Sequence, residues 1–179
     1  TRNPSVHPFH YSESESSGYR TLLPLPVKSQ PAVPNYESES VSWMTSNQGK
    51  AVKRFLMDGG VALFYHNSTY IARSNGDFRE VLGAATLGHP PTRPFRIKIT
   101  NSNHPITEGV RDFVVTDEQH FLTYDSKPEF VFMRSVNEDG MTYQNAGSSC
   151  EAGWAYNYGL GRVCYLAPGH TITALWNSE

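Results

Sequence analysis

Residues 59–69 have the sequence GGVALFYHNST, and this stretch decides how the rest of the chain is interpreted. The five residues Val61–Tyr65 suit a buried strand, and they lead directly into His66 and the polar residues 67–69. An imidazole is therefore expected at the end of a strand, without an intervening loop. In an open α/β sheet, ligands bind in the crevice outside the carboxyl ends of the strands.

The residues before this stretch predict a strand and a helix. Residues 49–58 place apolar side chains at helical spacing, with basic side chains between them, and a glycine that suits the end of a helix follows. Thr45 is a suitable N-cap, and Gln48, three residues later, completes a capping box. With a strand at residues 41–44, the chain would contain a β-α-β unit that ends at His66.

Further along the chain, the pattern predicts several short elements. Residues 77–82 predict a helix that ends at Gly83. Residues 95–100 alternate apolar and basic side chains, which is typical of an antiparallel or edge strand with one exposed face. Residues 130–134 and 141–143 predict a hairpin around an Asp-Gly turn.

A second strand also ends close to a histidine. Residues 162–166 suit a buried strand, and they follow a tight turn at residues 159–161. His170 comes shortly after this strand. Because the carboxyl ends of parallel strands meet at the same edge of a sheet, we expect His66 and His170 to lie together there.

Acidic and imidazole side chains interrupt the apolar run FVVTDEQHF at residues 113–121. In an extended segment, side chains two residues apart share a face, so Glu118 and His120 project together. Asp117 and Gln119 then project from the opposite face. We expect the Glu118 carboxylate to hold one imidazole in a fixed tautomer and to raise the pKa of that imidazole. The alternative interpretation is an ion pair on the surface at the end of a strand.

Length and composition indicate one folded domain. A chain of 179 residues and 20.0 kDa can bury about 70% of the surface that its unfolded form exposes. Residues 1–40 carry prolines and Ser-Glu runs that break any regular period, and they leave only residues 19–25 as a candidate strand. We therefore divide the chain into an irregular N-terminal arm, residues 1–40, and one α/β domain, residues 41–179.

Charge and hydropathy argue against several classes of partner. The net charge of -2 and the pI near 6.4 leave no basic stripe, so we expect no binding to nucleic acid. No apolar run approaches the roughly 20 residues of a membrane span, and the N-terminus lacks the order of a signal peptide. We expect a soluble chain with no membrane partner, in the cytoplasm in preference to export. Formation of a homo-oligomer stays open.

The two cysteines are too few for a disulfide scaffold. Cys164 lies inside an apolar run and is interpreted as a small buried hydrophobic residue. We therefore expect neither a bridge between Cys150 and Cys164 nor a cysteine nucleophile.

Three segments together resemble the trehalose-utilisation (ThuA-like) family: GGVALFYHNST, NHPITEGVRDFVVTDEQHF and AGWAYNYGLGRVCYLAPGHT. The resemblance covers about residues 45–177. It implies the fold of the class I glutamine amidotransferases, a flavodoxin-like, doubly wound and mostly parallel α/β sheet. Family members usually open with a strand and a helix that residues 1–40 do not offer. They usually close with a helix after the equivalent of residues 175–177, so a truncation at the C-terminus stays open.

The resemblance also implies where catalysis would occur. In the amidotransferases a nucleophilic cysteine stands on a strained elbow after the central strand, and its base is a histidine near the end of the domain. Here the elbow position is His66 and the late histidine is His170, so no cysteine-histidine pair can form there. Hydrolysis of glutamine through a thioester lacks its nucleophile. We expect that the chain is not a glutamine amidotransferase.

The candidate site is a cleft at this edge of the sheet, where imidazoles and a carboxylate suit general acid-base catalysis on a sugar. We assign the catalytic roles to His66, Glu118 and His170. The residues expected to bind substrate are Tyr65, Tyr70, Asp117, His120 and Trp154, with a core position as the alternative for the tryptophan. His89 and His104, each followed by proline, are interpreted as structural residues.

Three functions stay open, and in each the partner is a small-molecule carbohydrate. The first is an enzyme that acts on a sugar or keto-sugar by hydrolysis or isomerisation through its His and Glu side chains, with no cofactor. The second is a metal-dependent hydrolase or isomerase, since two histidines and a glutamate form a known catalytic zinc set. Its ligands would come from His66, Glu118, His120 and His170. The third is a non-catalytic carbohydrate-binding or scaffold module.

Overall fold

The computed structural model describes residues 9–13, 20–24 and 43–177. Its strands, in chain order, are β1 (Phe9–Glu13), β2 (Arg20–Pro24), β3 (Val61–Tyr65), β4 (Ala84–Gly88), β5 (Arg93–Ile99), β6 (Phe113–Asp117), β7 (Phe121–Tyr124), β8 (Val131–Val136), β9 (Ser149–Tyr158) and β10 (Gly161–Leu166). Its helices are α1 (Ser46–Met57), α2 (Ser68–Ile71), α3 (Gly76–Leu82) and α4 (Ile172–Leu175), and a 3₁₀ turn spans Pro128–Phe130.

The described strands form two sheets. Eight of them lie in one mixed sheet, in the order β1-β2-β3-β10-β9-β8-β5-β6, and β4 pairs with β7 in a separate antiparallel sheet. Within the large sheet, β2 and β10 are both parallel to β3, and the remaining neighbours are antiparallel.

The fold is α/β, but the expected flavodoxin-like, mostly parallel sheet is not confirmed, because most neighbouring strands are antiparallel. A parallel pair needs a crossover of a dozen residues or more, usually through a helix. Among the described helices, α1 with 12 residues is the longest, and α3 has 7. By contrast, β9 and β10 are paired from Tyr158 and Gly161 onward, and the two residues between them can only make an antiparallel hairpin.

Helix α1 begins where the sequence predicts. Thr45 is its N-cap, and the side chains of Thr45 and Gln48 form the predicted reciprocal capping box. The helix buries Val52 and Leu56 against the sheet. Among the described residues, no helix is long and apolar enough to cross a lipid bilayer.

Strands β3 and β10 form the central parallel pair, as predicted. Their register joins Ala62 to Val163 and Tyr65 to Leu166. The amide of His66 donates to the carbonyl of Leu166 at 2.8 Å, so the hydrogen-bonded ladder continues one residue beyond the strand. The backbone of this histidine is therefore tied to the neighbouring strand.

Helices α1 and α3 cover one face of the sheet next to β3. Leu56 of α1 and Leu82 of α3 are fully buried. Phe64 of β3 meets Phe78 of α3 edge to face, with 5.1 Å between ring centroids. An aromatic pair of this kind adds about 1 kcal/mol to the hydrophobic burial of its two rings. This packing fixes the strand that ends at His66.

Several other predictions from the sequence can be compared with the described elements. The helix at residues 77–82 is present as α3, and Gly83 ends it with a positive φ of 74°. The strand at residues 95–100 is present as β5, antiparallel to both neighbours. The prediction of a hairpin between residues 130–134 and 141–143 was wrong, because β8 pairs with β9 instead.

In the N-terminal arm, the candidate strand at residues 19–25 is present as β2, and β1 is a further strand that the sequence did not predict. The other residues of the arm lie outside the described residues. The division of the chain at residue 40 stays a prediction.

The β9-β10 turn offers a test of the fold, because a side chain at Gly161 has no room. A Cβ atom there would overlap the backbone oxygens of Gly60, just before β3, and of Leu56 in α1, and backbone atoms cannot move aside as the end of a flexible side chain can. We predict that Gly161→Ala lowers the free energy of unfolding, measured by urea denaturation, by about 2 kcal/mol or more.

Gly76→Ala is the matched control, because a Cβ atom at Gly76 meets nothing within 4 Å. Its free energy of unfolding should equal the parent value or exceed it slightly, since alanine favours the helix. Equal stability of the two variants would contradict the close approach of the turn to α1.

Candidate functional site

Four histidines surround one carboxylate oxygen at the carboxyl ends of β3, β6 and β10. The distances to Oε2 of Glu118 are 3.3 Å from Nε2 of His66, 3.5 Å from Nε2 of His89, 3.8 Å from Nε2 of His120 and 3.1 Å from Nδ1 of His170. We call these five residues the histidine cluster. His66 and His170, which the sequence predicted to lie together, have ring centroids 5.3 Å apart.

His66 occupies a strained position immediately after β3. Its φ is +47°, in the left-handed region that residues other than glycine seldom adopt, at a cost of about 1 kcal/mol or more. The buried hydroxyl of Tyr165 donates to the backbone oxygen of His66 at 2.7 Å. Such an elbow turns the side chain sharply out of the strand, and the imidazole consequently points at Glu118.

Hydrogen bonds fix the tautomers of two of the histidines. Nδ1 of His66 lies 3.1 Å from the backbone oxygen of Ala167, and Nδ1 of His89 lies 2.9 Å from that of Pro90. A carbonyl oxygen can only accept, so Nδ1 carries the proton in both rings. In the neutral form of each ring, Nε2 therefore presents a lone pair to Glu118.

His120 is held in a similar way, through the buried hydroxyl of Thr69. Oγ1 of Thr69 lies 3.5 Å from the backbone oxygen of His66 and 3.5 Å from Nδ1 of His120. Because the hydroxyl proton goes to the carbonyl, the same oxygen is free to accept from Nδ1 of His120. Nε2 of His120 then also faces Glu118 with a lone pair.

The charge state of the cluster follows from burial and proximity. Burial lowers the pKa of His120 to about 4, and this effect outweighs the opposing influence of Glu118. The expected rise in imidazole pKa is therefore not found at His120. Burial alone would raise the pKa of Glu118, but the hydrogen bonds and positive charges that the surrounding histidines supply when they are protonated hold it well below its usual range. At neutral pH Glu118 is a carboxylate and His120 is a neutral ring.

The cluster has the composition of a metal site. Among the described residues, His66, Glu118 and His120 offer ligand atoms that all lie within 4.8 Å of one another. The Nε2 atoms of both histidines are buried and have no hydrogen-bond partner in the described part of the chain. Two imidazoles and a carboxylate are suitable ligands for zinc, so the residues present fit a divalent cation.

Exposure differs between the two sides of the cluster. The side chains of His66 and His120 are 5% and 0% exposed, whereas those of His89 and His170 are 26% and 47% exposed. The first pair forms the buried base of the site. The second pair faces solvent and is accessible to a substrate.

The tyrosines expected to bind substrate lie beside the cluster. The ring of Tyr70 stands edge to face with His120 and His89, with centroid distances of 5.5 Å and 6.3 Å. Tyr65 is the last residue of β3 and is partly buried. A substrate-binding role for these two tyrosines stays a prediction.

The three other residues assigned to substrate binding are fully buried, namely His120, described above, and Trp154 and Asp117. Trp154 has no exposed surface, stacks on Tyr165 at 4.2 Å and donates from Nε1 to the backbone oxygen of Leu82 at 2.9 Å. It belongs to the core, which corrects the assignment and agrees with the alternative. Asp117 also has no exposed surface, and its carboxylate accepts from the backbone amides of Gly169 and His170.

Sequence reasoning missed His89, which was interpreted as structural because it precedes two prolines. It follows directly after β4, where a register shift between Thr86 and Gly88 interrupts the ladder. Its ring stacks on that of His120, with centroids 5.1 Å apart and an interplanar angle of 7°. The available signal was its position after a short apolar segment, the same pattern that identified His66.

The cysteines take no part in this site. Both are free, and burial raises the pKa of each thiol to about 12. Cys150 is buried and its sulfur accepts from the amide of Leu122. A thiol with such a high pKa is a poor nucleophile at neutral pH.

Comparison with known protein families agrees with the family resemblance seen in the sequence. The model of a family described as "Trehalose utilisation" (ThuA) matches residues 28–179, which confirms the resemblance found in residues 45–177. No match was found among curated proteins.

Solved structures with a similar fold include two bacterial proteins described as ThuA-like. One, from Bacteroides uniformis, has a TM-score of 0.58 and 18% identity, and the match covers 75% of this chain and 59% of that one. The other, from Parabacteroides merdae, has a TM-score of 0.53 and 10% identity, with coverages of 72% and 57%. The chain thus spans less than two thirds of the length of either protein.

Because burial lowers the pKa of His120 to about 4, below the ordinary value of 6.5, the unfolded chain binds protons more readily at this residue. Its contribution to stability is complete above pH 6.5 and is lost as the pH falls towards 4. We predict that the free energy of unfolding, measured with urea in the presence of a chelator, drops by up to about 3 kcal/mol over this range.

His120→Asn should flatten that pH dependence, because the titrating group is removed. His104→Asn should retain it, since His104 lies outside the cluster and rests on Phe132. An unchanged slope in His120→Asn would contradict a buried neutral ring at this position.

Proposed function

Because the chain belongs to the trehalose-utilisation (ThuA) family, we propose that it is a metal-dependent enzyme of carbohydrate metabolism. A divalent cation, zinc or one of similar preference, would be held by His66, Glu118 and His120. The substrate would be a sugar or keto-sugar, and the reaction a hydrolysis or an isomerisation. The family supports the link to carbohydrates, and the geometry of the cluster supports the metal.

One observation carries the metal: two buried imidazole nitrogens, Nε2 of His66 and Nε2 of His120, face a carboxylate and have no hydrogen-bond partner in the described part of the chain. The outer nitrogen of His66 is committed to a backbone oxygen, and that of His120 is committed to Thr69. In the neutral form of both rings, their inner nitrogens direct lone pairs at Glu118, which is a repulsive arrangement in a buried site. A proton or a cation between these atoms removes the repulsion, and outer hydrogen bonds of this kind typically orient metal-binding histidines.

The chemistry of a bound cation would complement that of the exposed histidines. A divalent ion supplies Lewis acidity, which polarises a carbonyl or hydroxyl oxygen of the substrate. His170 is the more exposed of the two outer imidazoles, and its Nδ1 lies 3.1 Å from Glu118. It is therefore suited to move a proton to or from the substrate as a general acid or base. Tyr70 and His89 would line the approach to it.

A second candidate function uses the same residues without a metal. The 3.1 Å contact between His170 and Glu118 favours it, because a carboxylate that orients an exposed imidazole is sufficient for general acid-base catalysis. A third candidate, a carbohydrate-binding module without a reaction, would bind sugars and turn none over. Metal content separates the first two candidates, and turnover separates both from the third.

We predict that the protein, expressed in zinc-supplemented medium and dialysed, retains close to one equivalent of metal by elemental analysis. His66→Asn and His120→Asn should each lose most of this metal, because each removes one of three ligands. Asparagine is chosen at residue 66 because it tolerates the left-handed backbone better than alanine does.

His104→Asn is the control, since this histidine is partly buried, stacks on Phe132 and lies outside the cluster. It should retain the parent metal content. Absence of metal from the parent protein under these conditions would eliminate the metal-dependent candidate and leave the metal-free one.

Glu118→Gln preserves the shape of the side chain and removes its charge. We predict that it lowers turnover by about 10²- to 10⁴-fold, because it removes both a ligand and the orienting partner of His170. The assay would follow products from trehalose, other disaccharides and their keto forms by chromatography.

Glu129→Gln is a suitable control, because the side chain of Glu129 is 65% exposed and pairs with Lys127, outside the cluster. Its turnover should match that of the parent. Full activity in Glu118→Gln would show that the carboxylate is structural, and the site would then consist of the histidines alone.

A further inference from the structure

Asp117 is a buried carboxylate that the proposed reaction does not use. It is the last residue of β6 and has no exposed surface. In the described part of the chain, no side-chain nitrogen of a lysine, arginine or histidine lies within 4 Å of its carboxylate. A charge in such a place is costly unless hydrogen bonds satisfy it. Its position therefore needs a physical explanation.

The carboxylate is satisfied by two consecutive backbone amides. Oδ2 accepts from the amide of Gly169 at 2.7 Å, and both oxygens accept from the amide of His170, at 3.2 Å and 3.3 Å. Hydrogen bonds to a charged acceptor are roughly twice as strong as neutral ones. These contacts fix the backbone of the loop that carries His170.

The same loop has little freedom on its other side. A Cβ atom at Gly169 would lie 3.1 Å from Cβ of His66 and 3.1 Å from the ring of Tyr65. The loop therefore packs against the end of β3. The side chain of His170, by contrast, is 47% exposed, and apart from the ring of His66 its described contact is Glu118.

We propose that Asp117 is a positioning residue for His170. Asp117 holds the backbone of residues 169 and 170, and the adjacent Glu118 receives the imidazole of His170. The dipeptide at residues 117 and 118 thus fixes this histidine at two points and sets its distance from the base of the cluster. The inference rests on the proposed function only where it gives His170 a part in proton transfer.

Asp117→Asn tests the proposal, because an amide keeps the shape but loses the charge and one acceptor oxygen. Nuclear magnetic resonance of ¹⁵N-labelled protein, kept free of metal with a chelator, would report two quantities. One is the hydrogen exchange of the Gly169 and His170 amides, and the other is the tautomer ratio of the His170 ring.

We expect exchange at both amides to accelerate by about 10- to 100-fold, the equivalent of losing a hydrogen bond to a charged group. The tautomer ratio of His170 should shift, and that of His66 should not. In an active preparation, kcat should fall with a smaller change in KM, because His170 acts in the chemical step.

Asp112→Asn is the matched control. Asp112 also accepts from a backbone amide, that of Ile99 at 2.8 Å, but it lies on the exposed surface before β6. Its variant should leave the exchange of the Gly169 and His170 amides and the His170 ring unchanged. Unchanged exchange and an unchanged ring in Asp117→Asn would overturn the proposal.

The parent protein provides a measurement that does not depend on the folding of any variant. Its Gly169 and His170 amides should exchange at least about 100-fold more slowly than the same amides in an unfolded chain. Rapid exchange in the parent would also overturn the proposal. Because these measurements need no metal and no substrate, they remain decisive if the proposed reaction fails.

Discussion

The parallel pairing of β3 with β10 is the constraint on which the rest of the site depends. These strands are separated by almost 100 residues of sequence, yet their ladder aligns Tyr65 with Leu166 and continues to the amide of His66. The loops that follow the two strands therefore emerge side by side. Every contact between His66 and His170 is a consequence of this register, because a shift of one residue would reverse the face of each side chain.

The cluster and the adjacent Asp117 combine conformational and electrostatic costs that the surrounding fold must offset. A left-handed His66, a carboxylate among four imidazoles and a second buried carboxylate at Asp117 are each unfavourable when isolated. Two of these costs are offset by identified neighbours: the buried Tyr165 hydroxyl donates to the carbonyl of His66, and the backbone amides of Gly169 and His170 donate to Asp117. Such compensated strain is typical of functional sites, where geometry is selected at the expense of stability.

The sequence predicted those parts of the fold that depend on local patterns. The capping box at Thr45, the helix end at Gly83 and the buried strand Val61–Tyr65 follow from residues within one or two turns of each other. The order of strands did not follow, because pairing between β8 and β9 depends on residues up to about 20 positions apart and on a bulge near Met133. The family resemblance implied a mostly parallel sheet, whereas most neighbouring strands in the described sheet are antiparallel.

For the site, the sequence identified the side chains and misjudged their environments. His66, Glu118 and His170 do meet, since strand ends are visible in an apolar pattern. Burial is not visible in this way: Asp117 and Glu118 are neighbours, yet one faces two backbone amides and the other faces four imidazoles. The carboxylate of Asp117 suggested substrate binding from its residue type alone, whereas its complete burial indicates a structural role. The tertiary structure therefore distinguishes a ligand-binding acid from a structural acid, because it determines which partner satisfies the charge of each carboxylate.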